Sequence, residues 1–528
     1  MKPIFKPLLT ILLMALVLAF FVACGNDEPI DGIEQTTPSI DNIDEPPIIG
    51  DMPINHIPNY VVELRIEPIN GYVSGSLHVD FVNTSQSDIS RIYFNTPLNA
   101  FRENITIRPF FHGFEQRIFR NGPDFGYMEI TAAMANLSPV LYSFDENILS
   151  LTLDKPLAVG ASVEIGLVFE AQIPRISHRT GYNSRAMWFG NFLPVLSVLG
   201  NDGWHNYPYY PAGNPFFTKI SNFQVSIATP SDFSVAATGI SLITQGAENN
   251  FTTVEAHMVR DFAFAVLSSE YSVARTTSHE GINISLHWME VPQEVQVDEI
   301  LNTASRALSY FSRIIGSNPY PNLEIVETQH FMLGTQKYPG IIFVDSQRLR
   351  SGEVHSDIAR DIAHQWFYNI VGTNPVQEPW MTLGLASFLA LDFRLDDPAR
   401  ISVQIRRFHD NLSLAMENIP YTALSTDLSQ FSSWTDFRNI HIVRGTIFFY
   451  ALQQELGRFA FDNFLREFYQ RYAFGIANAS DMMEVAQEFH HSPLDDFFGS
   501  WANEYALPEL PELINPPNEL DEIIWELE

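Results

Sequence analysis

The segment Arg360-Asp361-Ile362-Ala363-His364-Gln365-Trp366-Phe367-Tyr368-Asn369 lies inside a run from Ser356 to Ile370 in which apolar residues recur three and four apart, the period of an α-helix. Asp357, Asp361 and His364 fall on one face of that helix at i, i+4 and i+7. Such a stripe reads either as a makeshift oxygen–nitrogen metal site or, more plainly, as a hydrogen-bonded or solvated face. His355, nine residues before His364, lies about 180° around the helix and is a poor co-ligand.

Outward from this helix the period is helical on both sides. It begins near Val297, continues through Ile300 to Phe311, and returns at Thr382–Arg394, Gly445–Leu456 and Phe461–Tyr472. Before residue 275 the period is two, as in Val61-Val62-Glu63-Leu64-Arg65-Ile66, Ser76 to Val82 and Val163 to Phe169, with turn pairs such as Asn70-Gly71 between the runs. The expected fold class is α+β multidomain, with an N-terminal antiparallel β domain over 56–275 followed by a mainly helical domain over 276–505.

The segment 360–369 resembles the zinc helix of the gluzincin aminopeptidases, the aminopeptidase N and leukotriene hydrolase family, whose pattern is His-Glu-x-x-His-Gln-Trp-Phe-x-Asn. Histidines four apart lie about 40° from each other around a helix and reach one metal, and the glutamate beside the first activates a metal-bound water. The family's third ligand is a glutamate nineteen residues past the second histidine, in Trp-x-x-Glu-Gly-x-Ala. Here that element is Trp380-Met381-Thr382-Leu383-Gly384-Leu385-Ala386, and 364 plus 19 is Leu383. The resemblance therefore places Arg360 and Leu383 at two ligand positions, Asp361 at the general-base position, and His364 as the retained ligand. A permanently charged guanidinium does not ligate a cation.

Two further elements extend the resemblance. Gly334-Thr335-Gln336-Lys337-Tyr338-Pro339-Gly340 is similar to the exopeptidase signature Gly-x-Met-Glu-Asn/Tyr-Pro-Gly, with Lys337 where the glutamate grips the substrate amino group. By the same resemblance Gly334 and Tyr338 join Lys337 as substrate-binding positions. His441-Ile442-Val443-Arg444-Gly445 is similar to Tyr-x-Lys-Gly, with Ile442 where a tyrosine hydroxyl stabilises the oxyanion. Gly203-Trp204 with Tyr209, Asn318-Pro319-Tyr320-Pro321 and Leu494 to Trp501 carry the likeness over roughly residues 56–505. It implies an aminopeptidase N-like β domain and a thermolysin-like peptidase domain. His441 beside the missing tyrosine reads as an ordinary core or surface residue.

These substitutions imply a protein that has lost most zinc-binding and catalytic residues. The expectation is a non-catalytic pseudopeptidase that binds a peptide or protein and carries no cofactor, where active relatives carry zinc. The alternative is an active zinc metallo-aminopeptidase cleaving peptides at the cell surface. The site has also changed sign, so a carboxylate could pair with Arg360 in a bidentate fork. The plainer alternative is that Arg360 and Asp361 neutralise each other in the space the metal would fill.

The ends add a location. Lys2 and Lys6 precede an apolar run from Leu8 to Ala23, broken only by Thr10 and shorter than the about 20 residues of a membrane span. Its end, Phe21-Val22-Ala23-Cys24-Gly25, resembles the lipobox of bacterial lipoproteins. Residues 1–24 are expected to be a signal segment with lipidation at Cys24, the sole cysteine, and the location the extracytoplasmic face of a bacterial cell membrane. An acidic, Pro-rich tether over 25–55 and an acidic tail over 506–528 flank the body. The net charge of −32, from 62 acidic and 30 basic side chains, opposes phosphate backbones and anionic lipid surfaces, so nucleic acid is not an expected partner.

Overall fold

Asn59–Glu67 alternates exposed and buried residues along its length, and Tyr60, Val62, Leu64 and Ile66 are each no more than 3% exposed. One face of this strand therefore packs on a core while the other meets solvent. It is an inner strand of an eight-stranded sheet, antiparallel to Tyr72–Val82 and parallel to Ser221–Pro230. The computed structural model describes residues 57–289, 294–329, 334–351 and 354–510. The expected signal segment with Cys24, the tether and the tail beyond residue 510 lie outside the described residues.

A five-stranded sheet follows in the order Ser272–Thr277, Asn283–Trp288, Asn322–Thr328, Ile341–Asp345, Thr335–Tyr338. Its three inner strands run parallel, and Thr335–Tyr338 closes one edge antiparallel to Ile341–Asp345. Inner strands covered on both faces need continuous apolar runs, and Ile341-Ile342-Phe343-Val344 is buried throughout. Against this sheet pack the helices α1 (Glu294–Ile314) and α2 (Val354–Trp366), while α3 (Pro379–Leu395) packs on α2 and α4 (Gly445–Leu456) packs on α3. Pro379 opens α3 at the first turn, where its missing N–H costs nothing. The β-sheet domain followed by a helical domain is the expected fold class.

Two features seat the site. Gln365 Oε1 accepts from the Gly340 amide at 2.9 Å, and its Nε2 donates to the Tyr338 carbonyl at 3.1 Å, fastening the edge strand to α2. Gly384 of α3 and Gly445 of α4 are in backbone contact, and a Cβ on Gly384 would lie 2.6 Å from the Gly445 carbonyl carbon.

The β half is tied to the helical half by Arg260, 4% exposed, which donates to the Ile370 carbonyl at 2.9 Å and to the Gly475 carbonyl. Arg444 is fully buried and donates to the carbonyls of Trp501 at 2.9 Å, Glu504 at 2.8 Å and Ala506 at 3.0 Å. The expected tail thus begins bound to the body, where Leu507 and Leu510 also pack on the core. No helix among the described residues is long and apolar enough to cross a membrane.

Candidate active-site cavity

One cavity of about 80 Å³ is lined by Lys337, Arg360, Asp361, His364, Leu383 and Ile442, so the four sequence elements converge as the resemblance implies. Arg360, Asp361 and His364 reach it from α2, Leu383 and Ser387 from α3, and Ile442 from a π-helical turn, Arg438–Arg444, that leads into α4. The edge strand sorts its side chains by alternation. Thr335 and Lys337 face α2, with Arg360 Nη2 donating to Thr335 Oγ1 at 3.3 Å. Gln336 and Tyr338 turn away from α2, and Arg179, which lines the cavity together with Gln336, donates to Gln336 Oε1 and to the Gly213 carbonyl. Tyr338 is 2% exposed in a small core with Phe343 and Trp188, and neither it nor Gly334 lines the cavity. Gly334 instead accepts the Asp345 amide through its carbonyl at 2.8 Å.

Arg360 is committed to its own helix. Its Nη2 lies 2.9 Å from Asp357 Oδ1 and its Nε 3.7 Å from Asp361 Oδ1, and Asp357 also meets Arg348 Nε at 3.7 Å. The mutual neutralisation of Arg360 with its acidic neighbours is therefore realised, and the open bidentate fork is not. Asp357, which shares a stripe with Asp361 and His364, spends its carboxylate on guanidinium groups. No group of three or more His, Cys, Asp or Glu placed to hold a metal occurs among the described residues.

His364 is fully buried, and its Nδ1 donates to the Phe367 carbonyl at 3.1 Å. Burial, with Lys337 and Arg360 nearby, holds its pKa well below the usual histidine range, so the ring is neutral. The Nδ1 bond fixes the tautomer, leaving Nε2 with a free lone pair and no hydrogen-bond partner. Asp361 is 1% exposed; burial raises its pKa, Arg360 and Lys337 oppose the rise, and its Oδ2 has no hydrogen-bond partner. The Lys337 amine is pushed down to about 8 by burial against the pull of Asp361, and makes no ion pair or hydrogen bond among the described residues.

Sequence reasoning missed the wall supplied by the β half. His178, Arg179, Tyr209 and Tyr210 line the cavity from there. Arg179 sits in no local motif, and only the tertiary fold brings it beside Gln336. His441 is buried between Phe431 and Phe437, with ring centroids at 5.0 and 5.1 Å, and burial drives its pKa down to about 3. It is a core residue.

The two-layer fold and the convergence of α2, α3 and the edge strand on one cavity define the architecture of a two-domain M1 metallopeptidase. Residues 299–501 match the peptidase family M1 domain, so this part of the chain is similar to the gluzincin, aminopeptidase N-like family. It is 22% identical over 307 residues to Aminopeptidase M1-B of Oryza sativa subsp. japonica, covering 54% of this chain and 35% of the relative. It is 20% identical over 410 residues to Aminopeptidase M1-C of the same plant, covering 74% of this chain and 46% of the relative. The chain thus spans between a third and a half of the length of these relatives. Among solved structures it is similar to the M1 zinc metallopeptidase from Deinococcus radiodurans, with a TM-score of 0.66 and 16% identity over 87% of this chain and 96% of that one.

The family implies zinc, and the residues present do not fit it. His364 Nε2 is a competent donor, but Leu383 offers no lone pair and Arg360 brings a fixed positive charge to the same cavity.

Proposed function

We propose that this chain is an M1-family pseudopeptidase, a lipid-anchored protein on the extracytoplasmic face of a bacterial membrane that binds a peptide or protein without hydrolysing it. The reading rests on one observation above the others. The ion-paired Arg360 and the aliphatic Leu383 share a cavity with one free imidazole nitrogen, His364 Nε2, since His178 is bonded to the Pro109 carbonyl and the Tyr209 hydroxyl, whereas zinc hydrolysis needs three protein ligands and a water. The size of the cavity supports it, because about 80 Å³ admits a few waters, whereas ligand pockets run to roughly 300–1,000 Å³. A scissile residue has no room there, and Ile442 and Lys337 supply neither an oxyanion hydroxyl nor a carboxylate for an amino terminus.

The competing reading, an active zinc aminopeptidase, is favoured by the family match and by the free lone pair of His364 Nε2. Turnover of aminoacyl anilides and short peptides by the purified full chain, with and without added zinc, separates the two. The pseudopeptidase reading expects no zinc-dependent hydrolysis, and a rate abolished by a chelator and restored by zinc contradicts it. For the anchor, Cys24→Ser is expected to remove diacylglyceryl lipid from the protein; lipid retained on that variant overturns the assignment.

A further inference from the structure

We propose that the cavity is a binding site for a single carboxylate group, with the Lys337 ammonium as its anchor. This rests on the pseudopeptidase reading and names the ligand that such a protein would take.

Arg179, Lys337 and Arg360 line the cavity against one carboxylate, Asp361, while His364 is neutral. Arg360 already has its counter-ion in Asp357 at 2.9 Å. That leaves two cations, Arg179 and Lys337, facing one anion. Arg179 spends its donors on Gln336 and the Gly213 carbonyl, so the donor still free among the described residues is the Lys337 amine. A half-buried ammonium without a partner is costly, and a fold keeps one where something supplies the partner.

Charge and size then choose the ligand. An ammonium has three N–H donors, so Lys337 can serve an incoming carboxylate and still present a donor toward Asp361. The net excess of one positive charge suits a monoanion, and a sulfate or phosphate dianion would meet the Asp361 carboxylate with its second charge uncompensated. The volume of about 80 Å³ accepts a carboxylate head and no more. Whatever carries that head must lie outside, against the half-buried Tyr210, Pro211 and Trp434, which form an apolar rim. The ligand is thus a monocarboxylate with an apolar substituent, either a free organic acid or the C-terminus of a peptide ending in an apolar residue.

Calorimetry on the full chain, with peptides ending in Phe as free acid and as amide, together with acetate, benzoate and sulfate, tests this. The free acid is expected to bind about tenfold to a hundredfold tighter than the amide, the range of one charge-assisted hydrogen bond, and benzoate tighter than sulfate. Lys337→Met should lose that preference while its thermal midpoint does not fall, and Lys337→Arg should keep part of it. Benzoate matching the peptide acid would identify the ligand as a free acid, and a stronger peptide would identify a C-terminus. Equal or absent binding of acid and amide, or an unchanged preference in Lys337→Met, overturns the proposal. The hydrolysis assay keeps the two readings apart: a zinc-free, inactive protein that ignores carboxylates refutes this inference alone.

Discussion

Gly384 and Gly445 touch backbone to backbone where α3 crosses α4, next in sequence to Leu383 and three residues after Ile442, both of which line the cavity. Any side chain at Gly384 must push the helices apart, because the atoms it meets at 2.6 and 2.7 Å are backbone. Gly384→Ala is expected to destabilise the protein by about 1–3 kcal/mol, the usual cost of overpacking. Denaturant unfolding checks this, and a change within about 0.5 kcal/mol would mean the crossing yields freely.

Lys337 costs stability at neutral pH. Its folded pKa of about 8 lies below the ordinary 10.5, so between those values the unfolded chain holds the extra proton and stability rises with pH. Below pH 8 the full cost is present; a difference of 10.5 minus 8, or 2.5 units, corresponds to roughly 3 kcal/mol at most. Lys337→Met should therefore raise the Tm at pH 7 and flatten the rise between pH 8 and 10.5. A lower Tm would show that the lysine pairs with Asp361 to net advantage.

Asp261 gives the opposite slope in a lower window. It is 6% exposed and accepts from Asn191 and the Phe262 amide, yet burial lifts its pKa from 3.8 to about 7. The folded state holds this proton more tightly, so its contribution is fully present below pH 3.8 and is lost as pH rises to 7. The shift of 7 minus 3.8, or 3.2 units, bounds the loss at roughly 4 kcal/mol. Asp261→Asn should make stability between pH 4 and 7 flatter than in the parent, measured by unfolding at fixed temperature. An unchanged slope assigns that dependence elsewhere.

Much of this was legible in the sequence because local period and spacing survive substitution. The alternation at Val61–Ile66 gave the strand, and the nineteen-residue step from His364 to Leu383 carried both into one cavity. Side-chain partnerships were harder to read. The stripe of Asp357, Asp361 and His364 is real as a helix face, but Asp357 Oδ1 lies 2.9 Å from Arg360, a choice set by which rotamers the fold permits. Arg179 arrives from a different domain, and Arg444, read only as part of a degenerate motif, proves to bind carbonyls some sixty residues away. Such pairings depend on tertiary approach, which no local pattern encodes.

The central claim is that this ligand set cannot hold zinc although the helices still face each other. The direct measurement is the zinc-to-protein ratio after equilibrium dialysis, for the parent and for Arg360→His combined with Leu383→Glu. The parent is expected to stay far below one zinc per chain, and the double variant, with three ligands restored around His364 Nε2, to approach one. A parent that binds close to one zinc would contradict the account.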